Sequence, residues 1–151
     1  MPQLVKGGKY VFGWSQVSDD GSLRIPDEAL SEYGFVSGDR LLLMPGSRTS
    51  RGFSVSSLGK LRDSPMYDVV VRGPLMGVGI GEAVNVSGRC FCWVKLESGV
   101  IHVPPDALSL YGVSVGDRVL SARGSGLGIG FLVTGPIIEE ARKHEITCFF
   151  V

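Results

Sequence analysis

Three groups of residues in this chain have types and spacings that chemistry could use. The first is Gly46-Ser47-Arg48-Thr49-Ser50-Arg51-Gly52, two arginines between glycines. Such a loop can cradle an anion with backbone N–H groups and guanidinium donors. Its partner is Gly124-Ser125-Gly126-Leu127-Gly128-Ile129-Gly130, which has no cation but lets a ligand approach the backbone closely. Gly46, Ser47, Gly124, Ser125, Gly126 and Gly128 are therefore the candidate ligand-loop residues. Neither loop carries the G-K-S/T of a phosphate-binding P-loop, and neither sits as G-x-G-x-x-G in a βαβ unit. A hairpin connection that needs glycine for its geometry is the simpler account of both, and of Gly77-Val78-Gly79-Ile80-Gly81.

The other two groups offer less. Cys90 and Cys92 alternate along an apolar run, so both point to one face of a strand. A lone C-x-C with no second pair and no nearby histidine is a poor metal site, and buried small apolar packing explains it. His102 and His144 fall in different elements. Asp39 and Asp117 follow glycine in tight turns, where a carboxylate accepts backbone N–H groups. No catalytic residue, metal or cofactor is expected, and the chain is not read as an enzyme.

These residues are carried by short strands and helices. Tyr10–Val17 is aromatic and β-branched and predicts a strand. Asp and Gly then turn the chain into a second strand, Ser22–Ile25, with Leu23 and Ile25 on one face and Arg24 on the other. Pro26 ends that strand and starts a helix over Asp27–Tyr33, with Asp27 and Glu28 at its positive end and Gly34 as its stop. Arg40–Met44 and Phe53–Val55 are further strands. Leu58–Arg62 reads as a helical turn and Tyr67–Val71 as a strand. In the second half Ile101–Val103, Arg118–Ala122, Phe131–Val133 and Ile146–Val151 read as strands, and Pro105–Tyr111 and Pro136–His144 as helices.

The two halves read alike because they are alike. Residues 21–55 return 78 positions later without a gap, and sixteen of those 35 residues are identical. Residues 1–72 are the first copy, 73–88 a Gly-rich connection and 89–151 the second copy. The shared string G-x-L/I-x-I/V-P-x-x-A-L-x-x-Y-G-x-x-x-G-D-R resembles the AbrB/SpoVT swapped-hairpin family over about 45 residues of each copy. The resemblance implies a mostly-β fold in which two units interlock their hairpins into one β-barrel. Here a single chain would supply both units as a pseudo-two-fold pair. The covalent link then replaces association of two chains with a high effective concentration.

The resemblance also implies DNA binding and transcription regulation. Members that bind DNA commonly carry adjacent arginines on the short helix, where this chain has Leu30 and Ser31, and Leu108 and Ser109. Each arginine missing from a phosphate lowers the salt slope of binding by about 0.9. The remaining DNA-binding candidates are Lys9, Arg24, Arg48 and Arg51, with Lys6 beside them, all in the first copy. Arg24, Arg48 and Arg51 become His102, Gly126 and Ile129 in the second copy, so DNA is expected on copy one alone.

Composition bounds the rest. Of 151 residues, 44% are hydrophobic and 20% charged, enough for a core. Lysine plus arginine equals aspartate plus glutamate at 15 each, so the chain is not the basic body of a strong nucleic-acid binder. The alternative to a DNA-binding regulator is a barrel that binds a small ligand or a protein partner, or self-associates, and no longer touches DNA. Three cysteines are no disulfide framework. No secretory leader and no run of about 18 apolar residues is present, so the expected location is cytoplasmic, away from membranes.

Overall fold

The computed structural model describes residues 10–46, 51–62, 64–124 and 128–151. The fold is mostly β, with ten strands and five short helices among the described residues. In the first copy the strands are β1 (Val11–Gln16), β2 (Ser22–Arg24), β3 (Arg40–Pro45) and β4 (Phe53–Ser57). The second copy answers with β6 (Arg89–Lys95), β7 (Val100–His102), β8 (Arg118–Arg123) and β9 (Gly128–Leu132). Two outer strands, β5 (Ala83–Val86) and β10 (Cys148–Phe149), complete the set.

Pairing runs between the copies. The first strand of each copy lies antiparallel to the third strand of the other: β1 with β8, and β6 with β3. The register is reciprocal. Trp14 faces Leu120, and its counterpart Trp93 faces Leu42; Gln16 faces Arg118, and Lys95 faces Arg40. Two further pairs join each strand to its own equivalent. In the β2–β7 ribbon Leu23 faces Ile101, and across β4–β9 Phe53 faces Phe131. Each of these residues is opposite the one 78 positions away, so both pairs lie on the pseudo-two-fold axis. The ribbon is extended by a matching pair of hydrogen bonds, Ile25 N–H to Gly99 O (2.8 Å) and Val103 N–H to Gly21 O (3.0 Å).

The eight-stranded sheet has the order β10-β1-β8-β9-β4-β3-β6-β5. It is open, which corrects the expected closed barrel. β2 and β7 are not part of this sheet and pair with each other. The flanking strands also differ: β5 runs antiparallel to β6 over four residues, and β10 runs parallel to β1 over two. They end the sheet separately, at opposite edges.

The core lies between the sheet, the ribbon and two equivalent helices, α1 (Asp27–Tyr33) and α4 (Pro105–Leu110). α1 forms as its sequence predicts. Pro26 precedes it, Asp27 and Glu28 occupy its first turn, Ala29 and Tyr33 are buried, and Gly34 ends it at φ 69°. Leu41 and Leu43 of β3 and Cys90, Cys92 and Val94 of β6 point into this core. The intervening Leu42, Phe91 and Trp93 point the other way, under α2 (Leu58–Leu61) and α3 (Met66–Arg72). Trp93 also donates its indole N–H to the Leu75 carbonyl at 2.8 Å. Both faces being covered explains the uninterrupted apolar run of β6, which lacks the alternation of a half-exposed strand. On the other flank Trp14, Leu120 and Ala122 pack beneath α5 (Pro136–Ala141).

Two other expectations are corrected. Tyr67–Val71 is the body of α3: β-branched residues favour strands, but here Val70 packs in the Trp93 cluster from a helix. The connection 73–88 carries a 3₁₀ turn at Pro74–Gly77 and then β5, which adds to the expectation without contradicting it. Ile146–Val151 contributes only the two residues of β10.

Candidate functional site

The β2–β7 ribbon places Arg24 and His102. Leu23 and Ile101 are fully buried, so Arg24 and the exposed His102 stand on the other face. Ser15 Oγ donates to the Arg24 carbonyl at 2.6 Å and fixes its backbone. The Arg24 guanidinium donates from Nε to the Phe150 carbonyl (2.9 Å) and from Nη1 to the Ser98 carbonyl (3.3 Å). Both acceptors are backbone carbonyls, so these two contacts hold the guanidinium in place without neutralising its charge. His102 Nδ1 lies 3.3 Å from Ser22 Oγ.

Arg51 stands elsewhere. It is exposed, has a left-handed backbone at φ 53°, and lines a hollow of about 320 Å³ with Pro45, Ser109 and Leu110. The adjoining Gly52 donates its N–H to the Tyr111 carbonyl at 3.0 Å, which ties the β3–β4 hairpin to the end of α4. Arg24 and Arg51 therefore have separate neighbours, the C-terminal segment for one and α4 for the other. Lys9, Ser47, Arg48, Ser125 and Gly126 lie outside the described residues.

The described loop glycines serve hairpin geometry. Gly46 N–H bonds Gly52 O at 3.0 Å, and its counterpart Gly124 N–H bonds Gly128 O at 3.1 Å. A Cβ on Gly46 would stand 2.4 Å from the Arg51 carbonyl oxygen, and one on Gly124 2.2 Å from that of Gly128. Gly128 is not in a loop: it is buried in β9, opposite Ser56 of β4. The reading of Gly128 as a ligand-loop residue is corrected accordingly. β9 starts earlier than expected because its small glycines let β4 approach closely.

Most other cations are engaged within the chain. Arg123 forms a two-pronged pair with Glu32, with Nε to Oε2 at 2.8 Å, and stacks 4.7 Å over the Tyr10 ring. The hydrogen bonds from Arg123 hold the Glu32 carboxyl below its ordinary range. Lys95 pairs with Glu97 at 3.3 Å and Lys143 with Glu140 at 3.5 Å. Arg40 lies 4.5 Å over Trp93 and donates to the Val78 carbonyl.

Arg118, the equivalent of Arg40, was not singled out by sequence reasoning. It lines a hollow of about 870 Å³ between the start of β8 and the α5–β10 segment, with Trp14, Arg142 and Glu145. The repeated G-D-R string marks the residue, but the environment that distinguishes it from Arg40 comes from the unlike ends of the two copies.

The groups considered for catalysis are engaged or shielded. Asp39 Oδ2 accepts the Val36 N–H and Asp117 Oδ2 the Ser114 N–H, each at 2.9 Å, as turn residues should. Burial pushes the Cys90 thiol up and the Cys92 thiol up to about 11, so neither supplies much thiolate at neutral pH. His144 Nε2 lies 3.2 Å from Glu140 Oε1. Among the described residues no three His, Cys, Asp or Glu gather as metal ligands, and no helix is long and apolar enough to cross a membrane.

Comparison with family models, curated proteins and solved structures returned no match for this chain.

Proposed function

We propose that this chain is a tandem swapped-hairpin unit of the AbrB/SpoVT type and that it binds DNA as a transcription regulator. The observation that carries the reading is the reciprocal exchange of strands between the copies, which sets the β2–β7 ribbon apart from the sheet. A two-stranded ribbon is narrow enough to enter a major groove of about 12 Å. Arg24 on that ribbon is held by two carbonyls and has no acidic partner among the described residues, so its charge suits a phosphate or a guanine edge. Neither arginine has a counterpart in copy two, where the equivalent of Arg24 is His102 and that of Arg51 is the buried Ile129.

A second reading, a unit that binds a small ligand or a protein partner and no longer touches DNA, is favoured by one observation. Two of the cations near the hairpins are paired or stacked in the chain, Arg123 with Glu32 and Arg40 over Trp93.

Fluorescence anisotropy on random duplex DNA at two salt concentrations separates the two. The regulator reading expects binding that falls steeply with salt, with Arg24→Gln and Arg51→Gln each reducing the salt slope by about one. His102→Ala should leave that slope unchanged. An absence of binding at low salt, where the phosphate attraction is strongest, overturns this reading and leaves the second.

A further inference from the structure

The two copies place equivalent arginines in unlike surroundings. Arg40 is satisfied: its guanidinium covers the Trp93 ring and reaches the Val78 carbonyl. Arg118 sits at the same position of the other copy, opposite Gln16 and beside the counterpart tryptophan, Trp14. Nothing equivalent to Val78 reaches it, because copy one ends in a helix pair and a 3₁₀ turn, whereas copy two ends in α5 and β10. Among the described residues the Arg118 guanidinium has no hydrogen-bond, ion-pair or ring partner. The same holds for the exposed Arg142, at the end of α5, on the wall of the same hollow.

The hollow measures about 870 Å³, within the roughly 300–1,000 Å³ of small-molecule sites. Trp14, Val133 and Ile146 give it an apolar side. Its acids are Asp117 and Glu145. Asp117 is turned to its own loop, accepting the Ser114 N–H at 2.9 Å. Glu145 is exposed and opposes an anion. His144 is engaged by Glu140 and is not counted as a ligand. Two guanidinium groups without partners among the described residues line this hollow, one from the start of β8 and one from the end of α5, and such groups match the planar oxygens of a carboxylate or phosphate.

From this geometry we infer that the Arg118–Arg142 hollow binds a small organic molecule bearing a carboxylate or phosphate group, and that the site has no counterpart around Arg40. The inference does not depend on the DNA reading, since Arg24 and Arg51 lie outside this hollow.

The test is a titration of backbone amide and indole resonances of the full chain with sodium pyrophosphate and, separately, sodium citrate, at constant ionic strength. Saturable shifts confined to Trp14, Arg118, Ile146 and Thr147 are expected with at least one probe; which probe responds distinguishes phosphate from carboxylate. Arg118→Gln and Arg142→Gln should each weaken binding about tenfold, the scale of one charge-assisted hydrogen bond. Glu145→Gln should tighten it several-fold, and Lys95→Gln should leave it unchanged. Arg142 is exposed at a helix end, so its variant keeps the test usable if Arg118→Gln disturbs the fold, which the dispersion of the spectrum reports. Shifts that do not saturate, that spread over all exposed cations, or that survive both arginine variants overturn the proposal.

Discussion

Phe53 stacks on Phe131, the residue 78 positions later in the chain, with ring centroids 5.1 Å apart and planes 19° from parallel. Each is the other's equivalent, so the two copies meet at their own image, and the contact is made once. Tyr111 closes on Phe53 at 5.4 Å. Both phenylalanines are buried to within 1% of full exclusion.

Truncating either ring opens a cavity where the copies meet. Phe53→Ala and Phe131→Ala are each expected to cost about 3–5 kcal/mol of stability, read from urea unfolding. Because the two rings stack on each other, the double variant should cost less than the sum, by about 0.5–1.5 kcal/mol. Strict additivity would show that the stack contributes nothing beyond burial.

The β4–β9 junction depends on two glycines. A Cβ on Gly128 would stand 2.3 Å from the Val55 carbonyl oxygen, and one on Gly52 1.9 Å from that of Phe131, at φ 76°. Backbone atoms cannot yield as side chains do. Gly52→Ala and Gly128→Ala should therefore each cost more than the ~1–3 kcal/mol of ordinary overpacking. Gly59→Ala is the control: Gly59 lies in α2 with nothing nearer than 3.8 Å, so that change should be neutral or stabilise by up to about 1 kcal/mol. Thermal unfolding of the three variants checks the contrast.

The turn before β2 carries an acid-sensitive lock. The Ser18 hydroxyl and the Ser22 backbone N–H hold the exposed Asp20 carboxyl down at about 2, against an ordinary 3.8. A carboxyl depressed in the folded state stabilises above its unfolded value and loses that contribution as pH falls through its folded value. The stability gap between the wild type and Asp20→Ala should thus be constant above about pH 5 and close between about pH 4 and pH 2. Urea midpoints across that range test it, and a gap that stays open at the acid end would sink the assignment.

Thiol reactivity should follow burial. Cys90 and Cys92 are buried with raised thiol values, whereas Cys148 in β10 is half-buried. Native alkylation with iodoacetamide at about pH 8, where an ordinary thiol is partly ionised, followed by mass spectrometry, should label Cys148 first. Labelling of Cys90 and Cys92 should wait for unfolding. Fast labelling of either would contradict the packing of β6.

Local chemistry made much of this protein legible without its structure. Pro26, the acids after it and Gly34 delimit α1, and the G-D turns appear where glycine and aspartate require them, with Asp39 and Asp117 capping them alike. These features depend on neighbours a few residues away, so the sequence alone determines them, and the repeat at 78 residues shows that they occur twice. Tertiary structure decided what depends on partners far along the chain. Tyr67–Val71 is rich in β-branched residues yet is a helix, with Val70 packed in the Trp93 cluster. The sheet is open and ends in unlike strands, β5 antiparallel to β6 and β10 parallel to β1. The same divergence left Arg118 without the carbonyl that satisfies Arg40, although both residues are read from an identical G-D-R. Their difference lies in long-range contacts, and no local pattern encodes those.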